Sequence, residues 1–99
     1  MQIGTRPVRA MTCYYVYILQ SVKDKRWYTG FTVDLRKRFR EHNDGKYTSW
    51  TKGRGPFKLI YYEMCINKTD AREREVYLKT GMGKRYIQNR IKRFLALTG

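Results

Sequence analysis

The chain has 99 residues, room for one domain with one modest core, and its 41% apolar share excludes wholesale disorder. No apolar run approaches the roughly 18 residues that a membrane span needs. A formal net charge of +14 repels itself in a compact state and points to a polyanionic partner. Nucleic acid comes first, because phosphate contacts release counterions and demand little specific geometry. A generally basic surface is the plainer alternative. Cys13 and Cys65 lie far apart in strand-like surroundings. No CxxC or Cys/His spacing points to a zinc site. Reduced thiols and the lack of an apolar leader core near the N-terminus point to the cytoplasm.

Residues 1–12 lack periodicity and contain Gly4 and Pro7, so they read as a flexible extension before a domain spanning 13–95. Met11 could be a second translation start. Strands are expected at about 13–20 and 26–31, joined as a hairpin across the polar turn Ser21 to Arg26. Alternation sets Tyr15, Tyr17 and Leu19 on one face of the first strand and Tyr14, Val16 and Ile18 on the other. Both faces are apolar, which predicts a central strand covered on both sides.

A helix follows over about 33–44, with Thr32 or Asp34 as its cap and Gly45 as its stop. Leu35, Phe39 and His42 share one stripe, with Arg38 on its flank. Taken alone, His42 reads as a satisfied core histidine. The loop 46–56 mixes Lys46, Lys52 and Arg54 with Tyr47 and Trp50, a composition suited to phosphate contact and base stacking. An ordinary loop anchored by Trp50 fits equally well.

A third strand is expected at about 57–64. A helix over 69–80, capped by Thr69, gathers Ala71, Glu75, Leu78 and Met82 on one face and sends Glu73 to the other. A carboxylate inside an apolar stripe is costly unless it is paired or holds a metal. Gly81 and Gly83 then break the helix. A last helix over 84–95 packs through Ile87, Ile91 and Phe94, with a basic remaining surface.

The inward-facing polar set is therefore Tyr17, Tyr28, Arg38, His42 and Glu75. Phosphodiester hydrolysis needs a deprotonated water, a neutralised phosphoryl group and a stabilised leaving oxygen. Arginine meets phosphate bidentately. One carboxylate can hold one divalent ion, with waters and phosphate oxygens completing its shell. A phenol can relay a proton when cations lower its pKa.

These residues carry a resemblance. Tyr15-Val16-Tyr17 and Tyr28-Thr29-Gly30, followed at the right spacing by Leu35, Arg38, His42 and then Arg74-Glu75-x-x-Leu78-Lys79, resemble the GIY-YIG nuclease family. The similarity is to its small single-domain bacterial members of the excision-repair-nuclease-like group, and it covers about residues 13–93. Tyr15 and Val16 stand where the family name has Gly and Ile, and Phe31 where some members place a lysine. Asn89 takes no catalytic role on the helix wheel.

The resemblance implies an α+β fold, a mostly antiparallel three-stranded sheet flanked by helices in the order ββαβαα. It implies an endonuclease that hydrolyses nucleic acid, DNA foremost, with magnesium or manganese. Tyr17 would activate water with help from His42, Tyr28 and Arg38 would bind the scissile phosphate, and Glu75 would hold the metal. Apart from the resemblance, the clustering of positive charge leads us to expect that Lys46, Lys52, Arg54 and the last helix add affinity for nucleic acid. Small members usually borrow specificity, which implies a protein partner. The rival expectation is a non-catalytic basic nucleic-acid-binding module.

Overall fold

The computed structural model describes residues 12–44 and 53–98. The expected flexibility of residues 1–12 and the roles of Lys46, Tyr47, Trp50 and Lys52 fall almost wholly outside that range. The chain folds as β1 (Tyr14–Ser21), β2 (Trp27–Thr32), α1 (Leu35–Asn43), β3 (Phe57–Cys65), α2 (Lys68–Leu78), α3 (Gly81–Arg90) and α4 (Lys92–Thr98). The three strands form one antiparallel sheet in the order β2-β1-β3. This is the α+β architecture expected, with β1 in the centre.

The two apolar faces of β1 each found a cover, because neither could stay wet without loss. Val16 and Ile18 join Ile60, Ala71, Leu78 and Ile87 in a cluster under α2 and α3. Tyr17, Leu19 and Phe57 form a second cluster, closed by Leu35 and Phe39 of α1. Between β1 and β3 the register slips: Ile18 faces Tyr61 but Leu19 faces Leu59. The extra residue, Ile60, is thereby turned into the first cluster.

Capping explains the helix boundaries. Asp34 begins α1 by accepting the backbone N–H of Lys37 at 3.1 Å. The far end of α1 is pinned to β3, where Asn43 Oδ1 accepts the N–H of Phe57 at 2.6 Å. Asn67, not Thr69, caps α2, accepting from Asp70 N at 3.0 Å, so the helix starts earlier than expected. Gly81 and Gly83 do not break a helix; they are the first turn of α3, which Thr80 caps by accepting from Gly83 N at 3.0 Å. A Cβ on Gly83 would run into the carbonyl of Tyr77 and Cα of Leu78, so glycine there lets α3 start hard against the end of α2.

The expected single helix over 84–95 is two helices, divided at Ile91, whose φ of −116° and ψ of 29° leave helical geometry. Ile87 is fully buried and Ile91 packs beside it. Phe94 and Met82, both assigned to packing faces from the wheel, are exposed. The wheel assumed an uninterrupted helix axis, and the Thr80 cap and the Ile91 division each reset it.

Candidate active site

Tyr17 stands in the middle of β1, directly opposite Gly30 of β2. A Cβ on Gly30 would overlap the phenol oxygen and Cζ of Tyr17. Only glycine lets that ring lie across β2, which gives the Tyr28-x-Gly30 pattern a steric cause. Tyr17 is 3% exposed and His42 7%. Their contact, Tyr17 Oη to His42 Nε2 at 2.9 Å, joins β1 to α1 across 25 residues of sequence. His42 also lies edge-on to Phe57, with ring centroids 6.2 Å apart. Burial pushes the imidazole below its ordinary pKa, the charge of Arg38 pushes it the same way, and Glu41 opposes them. At neutral pH the ring is therefore uncharged.

Arg38 is held from two sides. Its Nη1 donates to the carbonyl of Phe31 at 3.2 Å, and its Nε lies 3.7 Å from Glu41 Oε1. Tyr28 packs edge-on against Phe57, with ring centroids 5.4 Å apart. Its hydroxyl accepts a hydrogen bond from Arg54 Nη1 at 3.1 Å. The same Nη1 reaches Asp24 Oδ2 at 3.4 Å. Ser21, fully buried at the hairpin, donates to the Arg54 carbonyl at 2.7 Å and so fixes this loop residue's backbone. Arg54, assigned from the sequence to phosphate contact, is thus also the partner of Tyr28.

Glu75 lies on α2 with its side chain 12% exposed, and Glu73 is exposed, as the wheel predicted. Both oxygens of Glu75 are engaged: Oε1 with Arg72 Nη1 at 3.3 Å and Oε2 with Lys79 Nζ at 3.1 Å. The partners are 55% and 54% exposed, so these are surface pairs at helical spacing, not a sealed ion pair.

A cleft of about 930 Å³ runs along the whole of β2, lined by all six of its residues. Tyr17, Tyr28, Arg38, His42 and Glu75 all line it. Because β2 is an edge strand, the cleft wraps around it: Tyr17, Arg38 and His42 stand on the α1 side and Glu75 on the α2 side. Among the described residues Glu75 is the single carboxylate lining the cleft, and no group of three His, Cys, Asp or Glu could enclose a metal. The donor set suits a hard divalent ion only as one anchoring carboxylate, with water and substrate oxygens supplying the rest.

Sequence reasoning missed two cations on the same cleft, Arg72 and Lys79, and gave the third, Lys84, only a share in the basic last helix. Arg72 Cζ lies 3.8 Å from the ring centroid of Phe31, and Lys84 Nζ 5.3 Å from that of Trp27. Arg72 and Lys79 were findable, since they sit three residues before and four after Glu75. Lys84 was legible only as part of the last helix's basic surface, because its place over Trp27 depends on the tight start of α3.

Residues 13–90 match the GIY-YIG catalytic domain. The chain is 51% identical over 65 residues to the UPF0213 protein CPE1444 of Clostridium perfringens, covering 66% of this chain and 69% of that one. It is 46% identical over 70 residues to a UPF0213 protein of Syntrophus aciditrophicus, covering 70% and 79%. The solution structure of the UPF0213 protein BH0048 from Bacillus halodurans is similar at 37% identity and a TM-score of 0.49, covering 78% of this chain and 83% of that one. With its sheet, its cleft and the Tyr17–Gly30 pairing in view, the chain belongs to the GIY-YIG family, a family of nucleases.

Proposed function

We propose that this protein is a metal-dependent endonuclease that hydrolyses phosphodiester bonds in nucleic acid, with DNA as its first substrate. The observation that carries the reading is the buried 2.9 Å contact between Tyr17 and His42 on a cleft that Arg38 and Glu75 also line. A neutral His42 offers Nε2 as the acceptor for the Tyr17 proton. As that proton moves to His42, Tyr17 Oη takes one from a water in the cleft. The water oxygen bonds to phosphorus, the P–O bond to the leaving group breaks, and the departing oxygen is protonated from solvent. Arg38 neutralises charge on the phosphoryl oxygens, and Tyr28, oriented by Arg54, holds the phosphate. Glu75 would hold a magnesium or manganese ion, which supplies Lewis-acid stabilisation of those oxygens.

The double pairing of Glu75 favours a second reading, a basic module that binds nucleic acid without cutting it. Arg72 and Lys79 are half-exposed, so they can leave the carboxylate at little cost. Incubation with labelled single-stranded, duplex and branched DNA and RNA, in magnesium, in manganese and in chelator, separates the two. Cleavage that needs metal supports the nuclease; tight binding without cleavage in any condition supports the module. No helix among the described residues is long and apolar enough to cross a membrane, and Cys13 and Cys65 are free thiols. Both facts are in keeping with a cytoplasmic protein, whose choice of target we assign to a protein partner.

A further inference from the structure

The cleft has a wall from which the proposed chemistry uses only Glu75. On the α2–α3 side of β2, Arg72 and Lys84 stand over two rings of the same strand, Phe31 and Trp27. Those rings are four residues apart, so the two charges are separated by about 13 Å along β2. Lys79 lies on the same wall. Three cations on one wall, two of them beside aromatic rings, are what a groove that follows a phosphodiester backbone contains. The cleft continues unbroken from this wall to Tyr17 and Arg38.

We propose that Arg72, Lys79 and Lys84 form a track for one strand of the substrate, holding successive phosphates on one side of the bond to be cut. The inference rests on the cleft being the nuclease site, and it adds a requirement. A substrate must extend past β2 onto the α2–α3 wall, so a dinucleotide is too short to be held well. Arg72 and Lys79 wait on Glu75 in the free protein and exchange that carboxylate for phosphate when a strand enters.

The test is binding, read apart from cleavage. The full chain is titrated with labelled single-stranded and duplex DNA in chelator over a range of salt. The variant Arg72→Gln/Lys84→Gln is compared with the charge-matched Arg36→Gln/Lys37→Gln, whose residues are exposed on α1 away from the cleft. Each lost phosphate contact lowers the slope of log K against log salt by about 0.9 for duplex and about 0.7 for single strands. The track predicts a slope shallower by about 1.4 to 1.8 for the cleft variant, with a much smaller change in the control. Arg72→Lys/Lys84→Arg should restore the wild-type slope. Equal losses in the two variants would mean diffuse charge and overturn the track. So would an unchanged cleft variant, or a wild type that binds neither strand. Should the double variant not fold, Lys84→Gln alone carries the test with half the change in slope. Cleavage in magnesium decides the nuclease reading separately, so either can fail without the other.

Discussion

Strand β2 has a different kind of wall on each side. On the α1 side, Tyr17 and His42 are nearly sealed from solvent and joined across two elements. Neither can move far without disturbing the Leu19 and Phe57 cluster. On the α2–α3 side, Glu75, Arg72 and Lys79 make pairs within a single helix, and the cations are more than half exposed. One wall fixes its groups and the other lets them exchange partners. Proton transfer needs positions fixed beforehand, while a long flexible backbone is better met by side chains that adapt. The contrast predicts that changes on the α1 side act chiefly on rate, and changes on the α2–α3 side chiefly on affinity.

The largest effect should come from the Tyr17–Gly30 pair. Tyr17→Phe keeps the ring over β2 and removes the oxygen, so cleavage should fall by about 10²–10⁴ with binding preserved. Gly30→Ala should displace the ring, costing about 1–3 kcal/mol of stability as well as the rate. Single-turnover cleavage and thermal melting measure both. An active Gly30→Ala would mean that the ring need not lie across β2. Arg38→Ala should lower the rate by about 10²–10³ with the fold intact, because the side chain is partly exposed and lies outside both buried clusters.

Glu75→Gln comes next and is the exception on the α2–α3 side, because its carboxylate is the group assigned to the metal. It should abolish metal-dependent cleavage, since the amide keeps the volume but not the charge that holds a hard ion. Its two partners are exposed, so melting in chelator should shift by less than about 1 kcal/mol in stability. Glu73→Gln should change neither property. A strongly destabilised Glu75→Gln that still cuts would make Glu75 a structural residue.

The α1 side was the more legible from sequence. Alternation placed Tyr17, periodicity placed Arg38 and His42 on one helix, and turn chemistry bounded both elements. All of that is local. The α2–α3 side depended on where helices begin. Asn67 displaced Thr69 as the cap of α2, and Thr80 capped a new helix, α3, each supplying an oxygen to an N–H three residues on. That choice moved Gly81 and Gly83 from a break into a first turn and carried Lys84 to Trp27. The link from Arg54 to Tyr28 spans 26 residues and has no periodic signature. Phosphate contact was the only role that composition could suggest for Arg54.

A smaller effect tests His42 through pH. Its folded pKa lies below the ordinary imidazole value, which is about 6.5. The unfolded chain therefore binds more protons than the folded one once pH drops below that value. Stability from this group is complete above about pH 6.5 and is lost as pH falls through the lower folded pKa. Cleavage should fall over the same acid range, as Nε2 ceases to accept the Tyr17 proton. His42→Gln should remove the acid limb from both profiles. A rate profile unchanged by the substitution would return His42 to a packing role.

The smallest expected effect belongs to Arg54, which touches both walls' kinds of work. As a phosphate contact it would contribute to affinity and to the salt slope. As the partner of Tyr28 it would act on rate through the phenol it orients. Arg54→Gln should lower the rate a few-fold, and in a Tyr28→Phe background it should lower it hardly at all, because the hydroxyl it orients is already gone. Such non-additivity is what contacting residues show, with coupling of about 0.5–3 kcal/mol. Equal effects in the two backgrounds, together with a shallower salt slope, would place Arg54 with Arg72 and Lys84 among the residues that hold the strand. A loss confined to rate would place it with Tyr17 and His42, and would extend the fixed wall of the cleft to the loop before β3.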